Sequence, residues 1–289
     1  MRSHILGKIE LDRTRLAKDL GYLASVPTVE EEYDEFSNGF WKNIPLWNAT
    51  GEGEDRLYRD VPGSAIATEH AARVPYLREI VQTVFVGDRL KMARTRNLKN
   101  AVVIPHRDFV ELDQDVDRYF RTFMVLEDSP QAFHSNEDTV IHMRPGEIWF
   151  LDAATVHAAI NFSEHSRQSL CIDFAFDGGF DEKEIFADPT VYDPGATPEI
   201  VTRKPFTQEH RDRILSLSKV IERQNFRDLL FLLSKVHFTY DVHPGDAYDW
   251  LVEIAKKADD EKMVVKAEQI REFAMEARAL HDRFSLTSW

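Results

Sequence analysis

The sequence contains only one cysteine, Cys171, among its 289 residues, so an intramolecular disulfide framework is excluded. Cys171 stands in an apolar run, which favours a small buried hydrophobic residue over a reactive thiol. No stretch approaches the roughly 18 consecutive apolar residues of a membrane span. The N-terminus also has no apolar run of signal-peptide length. These absences predict a cytoplasmic protein with no membrane partner.

Positive charge is scarce as well. The chain has 36 Lys and Arg residues against 50 Asp and Glu residues, which gives a net charge of −14. Non-specific nucleic-acid binding depends on neutralising phosphates with Lys and Arg, so nucleic acid is not expected as a partner. The remaining composition, 43% hydrophobic and 30% charged, is that of an ordinary globular protein.

Apolar periodicity predicts a β-rich part up to about residue 180. Helices are predicted there only over 12–27 and 75–85. Many short strands separated by turn signals favour an all-β sandwich or barrel. The predicted strands are 5–11, 39–47, 91–96, 101–105, 122–126, 140–143, 147–151, 158–162 and 169–176.

The chain changes character after residue 176. Residues 177–205 are rich in Asp, Gly and Pro and are predicted to be a linker. Helical periodicity follows over 207–235 and, after the break at His243-Pro244-Gly245, over 247–280. We therefore predict two domains: a β domain with flanking helices over 1–180, and a discrete helical domain over 205–289. Apolar stripes on the latter leave a homodimer open.

Three residues form the central pattern, His106, Asp108 and His157. His106 and Asp108 are two positions apart at a strand end, so both side chains leave the same face. His157 follows a strand that is distant in sequence and can supply a third ligand. Two histidines and one carboxylate on one face of an octahedron leave three positions open. That arrangement is typical of non-haem Fe(II) oxygenases.

Arg167 and Ser169 follow on the next predicted strand. A guanidinium at this position can hold the far carboxylate of 2-oxoglutarate by a bidentate, charge-assisted pair, and the Ser169 hydroxyl faces the same way. With 11 His and 50 acidic residues, about two His-x-Asp/Glu matches arise by chance. The order and spacing of all five residues therefore carry the prediction.

Several segments resemble the bacterial free-proline hydroxylases, a group in the aspartyl/asparaginyl β-hydroxylase-like branch of the 2-oxoglutarate oxygenases. The similar segments are 2–7, 35–45, 93–100, 104–108, 146–152, the pair His157 and Arg167, and 283–286. The resemblance runs nearly end to end. It implies a double-stranded β-helix, or jelly-roll (cupin-like), core and a separate helical C-terminal unit.

The resemblance also implies an activity. Fe(II) would be bound by His106, Asp108 and His157, and 2-oxoglutarate would be anchored by Arg167. O2 is the oxidant, and 2-oxoglutarate is decarboxylated to succinate and CO2. The implied substrate is free L-proline, hydroxylated at C3 in the cis configuration. Related enzymes carry Arg-x-His after the first ligand pair, whereas Phe123 stands here at the His position, which predicts altered cosubstrate binding or substrate preference.

A free amino acid brings a carboxylate that must be neutralised in the pocket. Arg121 and Arg96 are the candidates for this role, and Arg107, between two ligands, is expected to be structural. Trp41, Trp47, Phe109 and Trp149 are candidates for an apolar wall around the pyrrolidine ring. His134 and His142 are candidates for orienting a metal-bound imidazole.

Three alternatives stay open at this point. The same iron site serves pipecolate hydroxylation or proline 4-hydroxylation, since one methylene discriminates by only about 1–3 kcal/mol. A hydroxylase of protein side chains needs an open, acidic groove. A non-catalytic cupin-like binding protein need not keep vacant iron positions.

Overall fold

The computed structural model describes residues 2–28, 34–108, 118–179, 181–278 and 282–289. The helices and strands of these residues are β1 (His4–Lys8), α1 (Arg13–Ser25), β2 (Ser37–Asn48), β3 (Ile66–Ala67), α2 (Glu69–Arg73), α3 (Pro75–Val84), β4 (Leu90–His106), β5 (Tyr119–Val125), β6 (Ala132–Asn136), β7 (Thr139–His142), β8 (Glu147–Phe150), β9 (His157–Asn161), β10 (Arg167–Ala175), β11 (Glu199–Ile200), α4 (Gln208–Leu215), α5 (Phe226–Leu233), α6 (Asp246–Lys257) and α7 (Glu261–Met275).

The strands form one curled, antiparallel sheet. Within the described residues it has 11 strands, with β1-β8-β5-β10-β4-β9-β6-β7-β11 as the main order. Strand β2 also pairs with β4, and β3 pairs with β2. Strand β4 makes the curl, because its first half pairs with β10 and its second half pairs with β9. The curled antiparallel sheet confirms the predicted jelly-roll core, and helices precede and follow it in sequence.

Two predicted strands, 91–96 and 101–105, are a single strand in the structure. The polar residues between them suggested a turn. Instead, Asn100 takes a positive φ of 41° and kinks the strand without ending it. Pairing with β2 continues on both sides of this kink, which keeps the strand extended. The kink is also where β4 changes partner from β10 to β9.

Three smaller predictions were wrong. The prediction missed strand β6, whose short sequence has little apolar alternation. The predicted linker contains β11, which pairs with β7. The predicted helix 207–235 is interrupted, because the Asn225 side chain accepts from Glu222 N and donates to Val220 O, which forms a local turn.

Among the residues that the structure describes, the hydrophobic core has three clusters. One lies between the N-terminal helices and the outer face of the sheet and includes Leu16, Leu77 and Ile172. A smaller one lines the inside of the sheet around Trp149 and Cys171. Cys171 is fully buried, as the sequence predicts.

The third cluster joins β4 and β9 to the C-terminal helices. Ile104 and Ile160 share it with Leu230, Leu251 and Ile270, and all five side chains are at most 1% exposed. The apolar stripes of α5, α6 and α7 are thus covered by one another and by the sheet. In the part of the chain that the structure describes, no helix has the length and apolar character needed to cross a membrane.

Candidate metal and cosubstrate site

Strand pairing brings the two histidines together. His106 ends β4 and His157 begins β9, and the two residues are register partners with ring centroids 4.3 Å apart. Asp108 follows directly, in a turn held by the hydrogen bond from Asp108 N to Ala153 O at 2.7 Å. One ligand atom from each of the three residues lies within 4.8 Å of the others. The structure therefore gathers all three predicted ligands at one point.

Each imidazole is oriented by a backbone carbonyl. His106 Nδ1 lies 2.8 Å from Ile104 O, and His157 Nδ1 lies 3.0 Å from Thr155 O. A carbonyl oxygen can only accept, so Nδ1 of each ring carries a hydrogen, and Nε2 is the nitrogen left to bind a metal ion. The Nε2 atoms are the ones that face Asp108, at 3.5 Å and 3.9 Å.

Burial, followed by the neighbouring His106, lowers the pKa of His157 to about 3. This ring is therefore neutral at physiological pH, as a metal ligand must be. The predicted orienting residues, His134 and His142, do not perform this task. His142 instead lies 3.4 Å from Glu199 and 3.3 Å from Ser129 O.

Asp108 is held by Arg121. The Arg121 Nη1 atom donates to Asp108 Oδ2, which leaves Oδ1 3.5 Å from His106 Nε2. Burial opposes ionisation of Asp108, but Arg121 and then the two imidazoles outweigh it and lower the pKa of this carboxyl well below its usual range. The carboxylate is therefore negative and has an oxygen available for a cation.

Arg121 has a second carboxylate partner that the sequence did not predict. Its Nε donates to Asp173 Oδ1 at 2.6 Å, and Asp173 Oδ2 also accepts from Arg94 at 3.3 Å. Although burial opposes it, Asp173 and then Asp108 raise the pKa of Arg121. The only sequence signal for Asp173 is a single acid inside an apolar strand.

The C-terminal helices hold the turn that carries the ligands. Arg107 N donates to Ala274 O at 3.0 Å, and the Arg278 guanidinium donates to Arg107 O at 2.7 Å. Arg278 also lies 3.9 Å from Asp108 Oδ1. Tyr248 Oη donates to Pro105 O at 2.5 Å. Arg107 points away from the ligands and donates from Nε to a backbone carbonyl, in keeping with the predicted structural role.

Arg167 is a buried cation with no carboxylate partner among the described residues. Its residue is 3% exposed, and its guanidinium lies 5.3 Å from the centre of the Phe123 ring. Burial, with a contribution from Arg96, lowers the pKa of Arg167 to about 10. An isolated buried charge is costly, so this position is suited to an anionic ligand.

Arg96 lies beside Arg167 and is similar in character. Its Nε is buried and, within the described part of the chain, has no hydrogen-bond partner. Burial and then Arg94 lower the pKa of Arg96 to about 10. Ser169 is its register partner, and the Ser169 hydroxyl donates to Arg96 O at 3.2 Å rather than into the site.

His134 and Phe123 complete the inner wall. The His134 ring stacks 6.0 Å from His157, and its Nε2 is buried with no partner among the described residues. Burial, followed by His157 and Arg167, lowers the pKa of His134 well below its usual range, so the ring is neutral. Sequence reasoning identified His134 for metal orientation and missed its place beside Arg167.

The predicted apolar wall is mostly ordinary core. Trp149 is fully buried and donates to Glu147 at 3.0 Å, and Trp47 packs in the cluster beneath the N-terminal helices. Trp41 is partly buried against the cluster shared with the C-terminal helices. Phe109 lies outside the described residues.

The fold and the site together define a class: jelly-roll proteins with a His, Asp, His facial triad, which is typical of non-haem iron oxygenases. Residues 10–176 match the family described as "Aspartyl/Asparaginyl beta-hydroxylase", and residues 182–282 match "L-proline 3-hydroxylase, C-terminal". The chain belongs to the aspartyl/asparaginyl β-hydroxylase family and, within it, to the branch of the L-proline cis-hydroxylases.

Three curated relatives match nearly end to end. L-proline cis-3-hydroxylase 2 of Streptomyces sp is 78% identical over 290 residues, covering 100% of both chains. L-proline cis-3-hydroxylase 1 of Streptomyces sp is 71% identical with the same coverage. L-proline cis-4-hydroxylase of Rhizobium meliloti (strain 1021) is 35% identical and covers 94% of this chain and 95% of that protein.

Among solved structures, the non-heme alpha ketoglutarate dependent epimerase from nogalamycin biosynthesis has a TM-score of 0.37 and 14% identity, covering 69% of this chain and 90% of that chain. This likeness is too low to carry a functional argument.

Proposed function

We propose that the chain is an Fe(II)- and 2-oxoglutarate-dependent dioxygenase that hydroxylates free L-proline at C3 in the cis configuration. The observation that carries the proposal is the pairing of a His, Asp, His triad with a buried arginine, Arg167, that has no carboxylate partner in the described residues. Two full-length relatives named L-proline cis-3-hydroxylase, at 78% and 71% identity, support the substrate and the position of attack.

The residues of the triad fit Fe(II). Both imidazoles donate from Nδ1 to a backbone carbonyl and present Nε2 toward Asp108, whose carboxylate is kept ionised. We assign His106, Asp108 and His157 as the ligands. Bound iron supplies the redox chemistry that couples decarboxylation of 2-oxoglutarate, with O2, to hydroxylation of a C–H bond.

We assign Arg167 to the far carboxylate of 2-oxoglutarate. A bidentate, charge-assisted pair would neutralise the buried guanidinium. Because one end of the cosubstrate is then held at Arg167, only a dicarboxylate of the right length can place its other end at the metal site. Ser169 is kept as a second binding residue; its hydroxyl must turn from Arg96 O toward the ligand to donate. The Arg167 guanidinium packs on the face of the Phe123 ring in a cation–π contact, with 5.3 Å between its central carbon and the ring centroid.

For the substrate carboxylate we keep Arg96 and Arg121. Arg96 has a buried Nε that no described residue accepts from, which supports an anion nearby. Arg121 contacts Asp108 and Asp173, which places its guanidinium directly beside the proposed metal ligands. Either arginine would orient the pyrrolidine ring by holding its carboxylate at a fixed place.

The decisive experiment is product analysis. The protein is incubated with L-proline, Fe(II), 2-oxoglutarate and O2, and the product is identified by NMR. We expect cis-3-hydroxyproline and one succinate for each hydroxylation, and no turnover in a His106→Ala variant. Parallel reactions with L-pipecolate and with an Asp- and Asn-containing peptide test the alternative substrates. A 4-hydroxylated product, or succinate with no hydroxyproline, would contradict the proposal.

The remaining expectations concern the protein as a whole. We propose a cytoplasmic enzyme built from a domain over 1–180 and a helical domain over 205–289. Limited proteolysis tests this division, since cleavage should concentrate between 177 and 205. Light scattering tests the homodimer that the sequence left open.

A further inference from the structure

Asp173 is a buried acid that belongs to no predicted role. It is 1% exposed and lies in β10, where Asp173 and Arg121 are register partners on neighbouring strands. Side chains of register partners project from the same face of a sheet. Strand pairing therefore fixes Asp173 beside Arg121, and Arg94 reaches the same carboxylate from β4.

The ion pairs form a continuous chain from Arg94 to the metal site. Arg94 donates to Asp173 Oδ2, Asp173 Oδ1 accepts from Arg121 Nε, and Arg121 Nη1 donates to Asp108 Oδ2. Burying these groups has a high desolvation cost, and apolar residues of similar volume often serve a fold equally well. The chain of charges therefore calls for a role other than stability.

Its geometry identifies that role. A guanidinium is planar and rigid, so holding it at Nε also fixes the direction of its Nη1–H bond. With Asp173 in place, Arg121 takes one oxygen of Asp108, and the other oxygen stays 3.5 Å from His106 Nε2. Without Asp173, the guanidinium loses the bond at Nε that sets the direction of Nη1, and the Asp108 carboxylate is held less firmly in this orientation.

We propose that Asp173 is a positioning residue of the metal centre, acting through Arg121 to present a single oxygen of Asp108 to the metal ion. This inference rests on the proposed function, because it requires Asp108 to be a ligand. It concerns metal affinity and coordination geometry, and no step of the reaction is assigned to Asp173.

The test is metal binding by Asp173→Asn. Fe(II) affinity is measured anaerobically in the presence of 2-oxoglutarate, and Co(II) absorption reports the coordination geometry. Loss of an outer partner of a ligand weakens metal binding by about 10- to 100-fold. We expect a loss of that size and an altered Co(II) spectrum. Unchanged Fe(II) affinity with an unchanged Co(II) spectrum would overturn the inference.

Asp19→Asn is the matched control. Asp19 is also 1% exposed, and it accepts from Leu77 N at 2.8 Å in the helical layer remote from the site. The same chemical change there should lower the melting temperature and leave Fe(II) affinity and the Co(II) spectrum as in the wild type. Equal loss of metal affinity in both variants would mean a general effect of destabilisation and would refute a specific role.

Two further variants test the same proposal if Asp173→Asn does not fold. Asp173→Glu keeps the charge that the buried arginines need but displaces it by one methylene, so we expect folded protein with an intermediate loss of metal affinity. In an Arg121→Met background, adding Asp173→Asn should change Fe(II) affinity by no more than about twofold, because Asp173 then has no guanidinium to position; about 0.5 kcal/mol is the usual error of such double-mutant comparisons. A full additional loss would show that Asp173 does not act through Arg121.

The outcomes separate the two proposals. Wild-type protein that binds no Fe(II) would refute the proposed function. Wild-type protein that binds Fe(II) normally, together with an Asp173→Asn variant that does the same, would refute only the positioning role.

Discussion

Arg167→Met should change cosubstrate binding and the stability of the ligand-free protein in opposite directions. Arg167 is 3% exposed and has no carboxylate partner among the described residues. Its charge is therefore a cost until an anion binds. Methionine has a similar length and no charge, so it removes that cost and also removes the anion site.

The two magnitudes can be estimated separately. Truncating one partner of a buried, hydrogen-bonded charge pair costs about 2–5 kcal/mol, and about 3 kcal/mol corresponds to a loss of 2-oxoglutarate affinity of about 100-fold. Replacing buried ionic groups by apolar residues of similar volume stabilises proteins by about 0–4 kcal/mol. Ligand-free Arg167→Met should therefore be at least as stable as the wild type.

The assay has two parts. Anaerobic titration of the Fe(II)-loaded protein with 2-oxoglutarate gives the dissociation constant through the metal-to-ligand absorption band. Urea unfolding of the metal-free, ligand-free protein gives the free energy of unfolding. Both are measured on the same preparations of wild type and variant.

Arg203→Met is the matched control. The Arg203 side chain is 6% exposed, but it donates to His237 O and Val242 O at 2.9 Å and pairs with Asp241 at 2.7 Å. Its removal should lower the free energy of unfolding and leave 2-oxoglutarate affinity unchanged. If Arg167→Met instead destabilises the ligand-free protein as much as Arg203→Met and binds 2-oxoglutarate normally, Arg167 is a structural residue and the reasoning fails.

Three further predictions concern other parts of the molecule. Burial, aided by Arg203, lowers the pKa of His237 to about 3, so the folded protein keeps this ring neutral while the unfolded chain binds a proton below about pH 6.5. The free energy of unfolding should therefore decrease as pH falls from about 6.5 toward 3. In His237→Gln, measured by urea unfolding, this decrease should be smaller by up to about 1.4 kcal/mol for each pH unit. The same pH dependence of the free energy of unfolding in wild type and variant would contradict this. Arg278→Met removes the bond to Arg107 O and the contact with Asp108, so anaerobic titration should show Fe(II) affinity about 10-fold weaker. Fe(II) affinity equal to that of the wild type would exclude a role for Arg278 in metal binding. Phe123→His places an imidazole donor beneath Arg167; we expect 2-oxoglutarate affinity about 2- to 10-fold tighter and a lower melting temperature, whereas weaker binding would show that the aromatic face matters more.

The sequence alone determined the metal ligands that we propose. His106 and Asp108 share a face because of the period of two in an extended chain, which is a local property. The arginine after the distal histidine was recognisable because a guanidinium in an apolar strand is unusual and its chemistry suits a dicarboxylate. Strand-rich periodicity up to residue 176 and helical periodicity after it likewise predicted the fold class before any contact was known.

Only the tertiary structure decided what surrounds those ligands. Asp173 lies 52 residues from Arg121 in sequence and reaches it through the β5–β10 register. Register depends on which strands pair, and the local pattern of one strand does not identify a partner that is distant in sequence. The same holds for Arg278, which lies 171 residues from the carbonyl that it holds. The chain's local pattern specifies which residues can bind a metal ion and an anion, whereas long-range pairing decides which side chains orient them, because those contacts join segments that share no local periodicity.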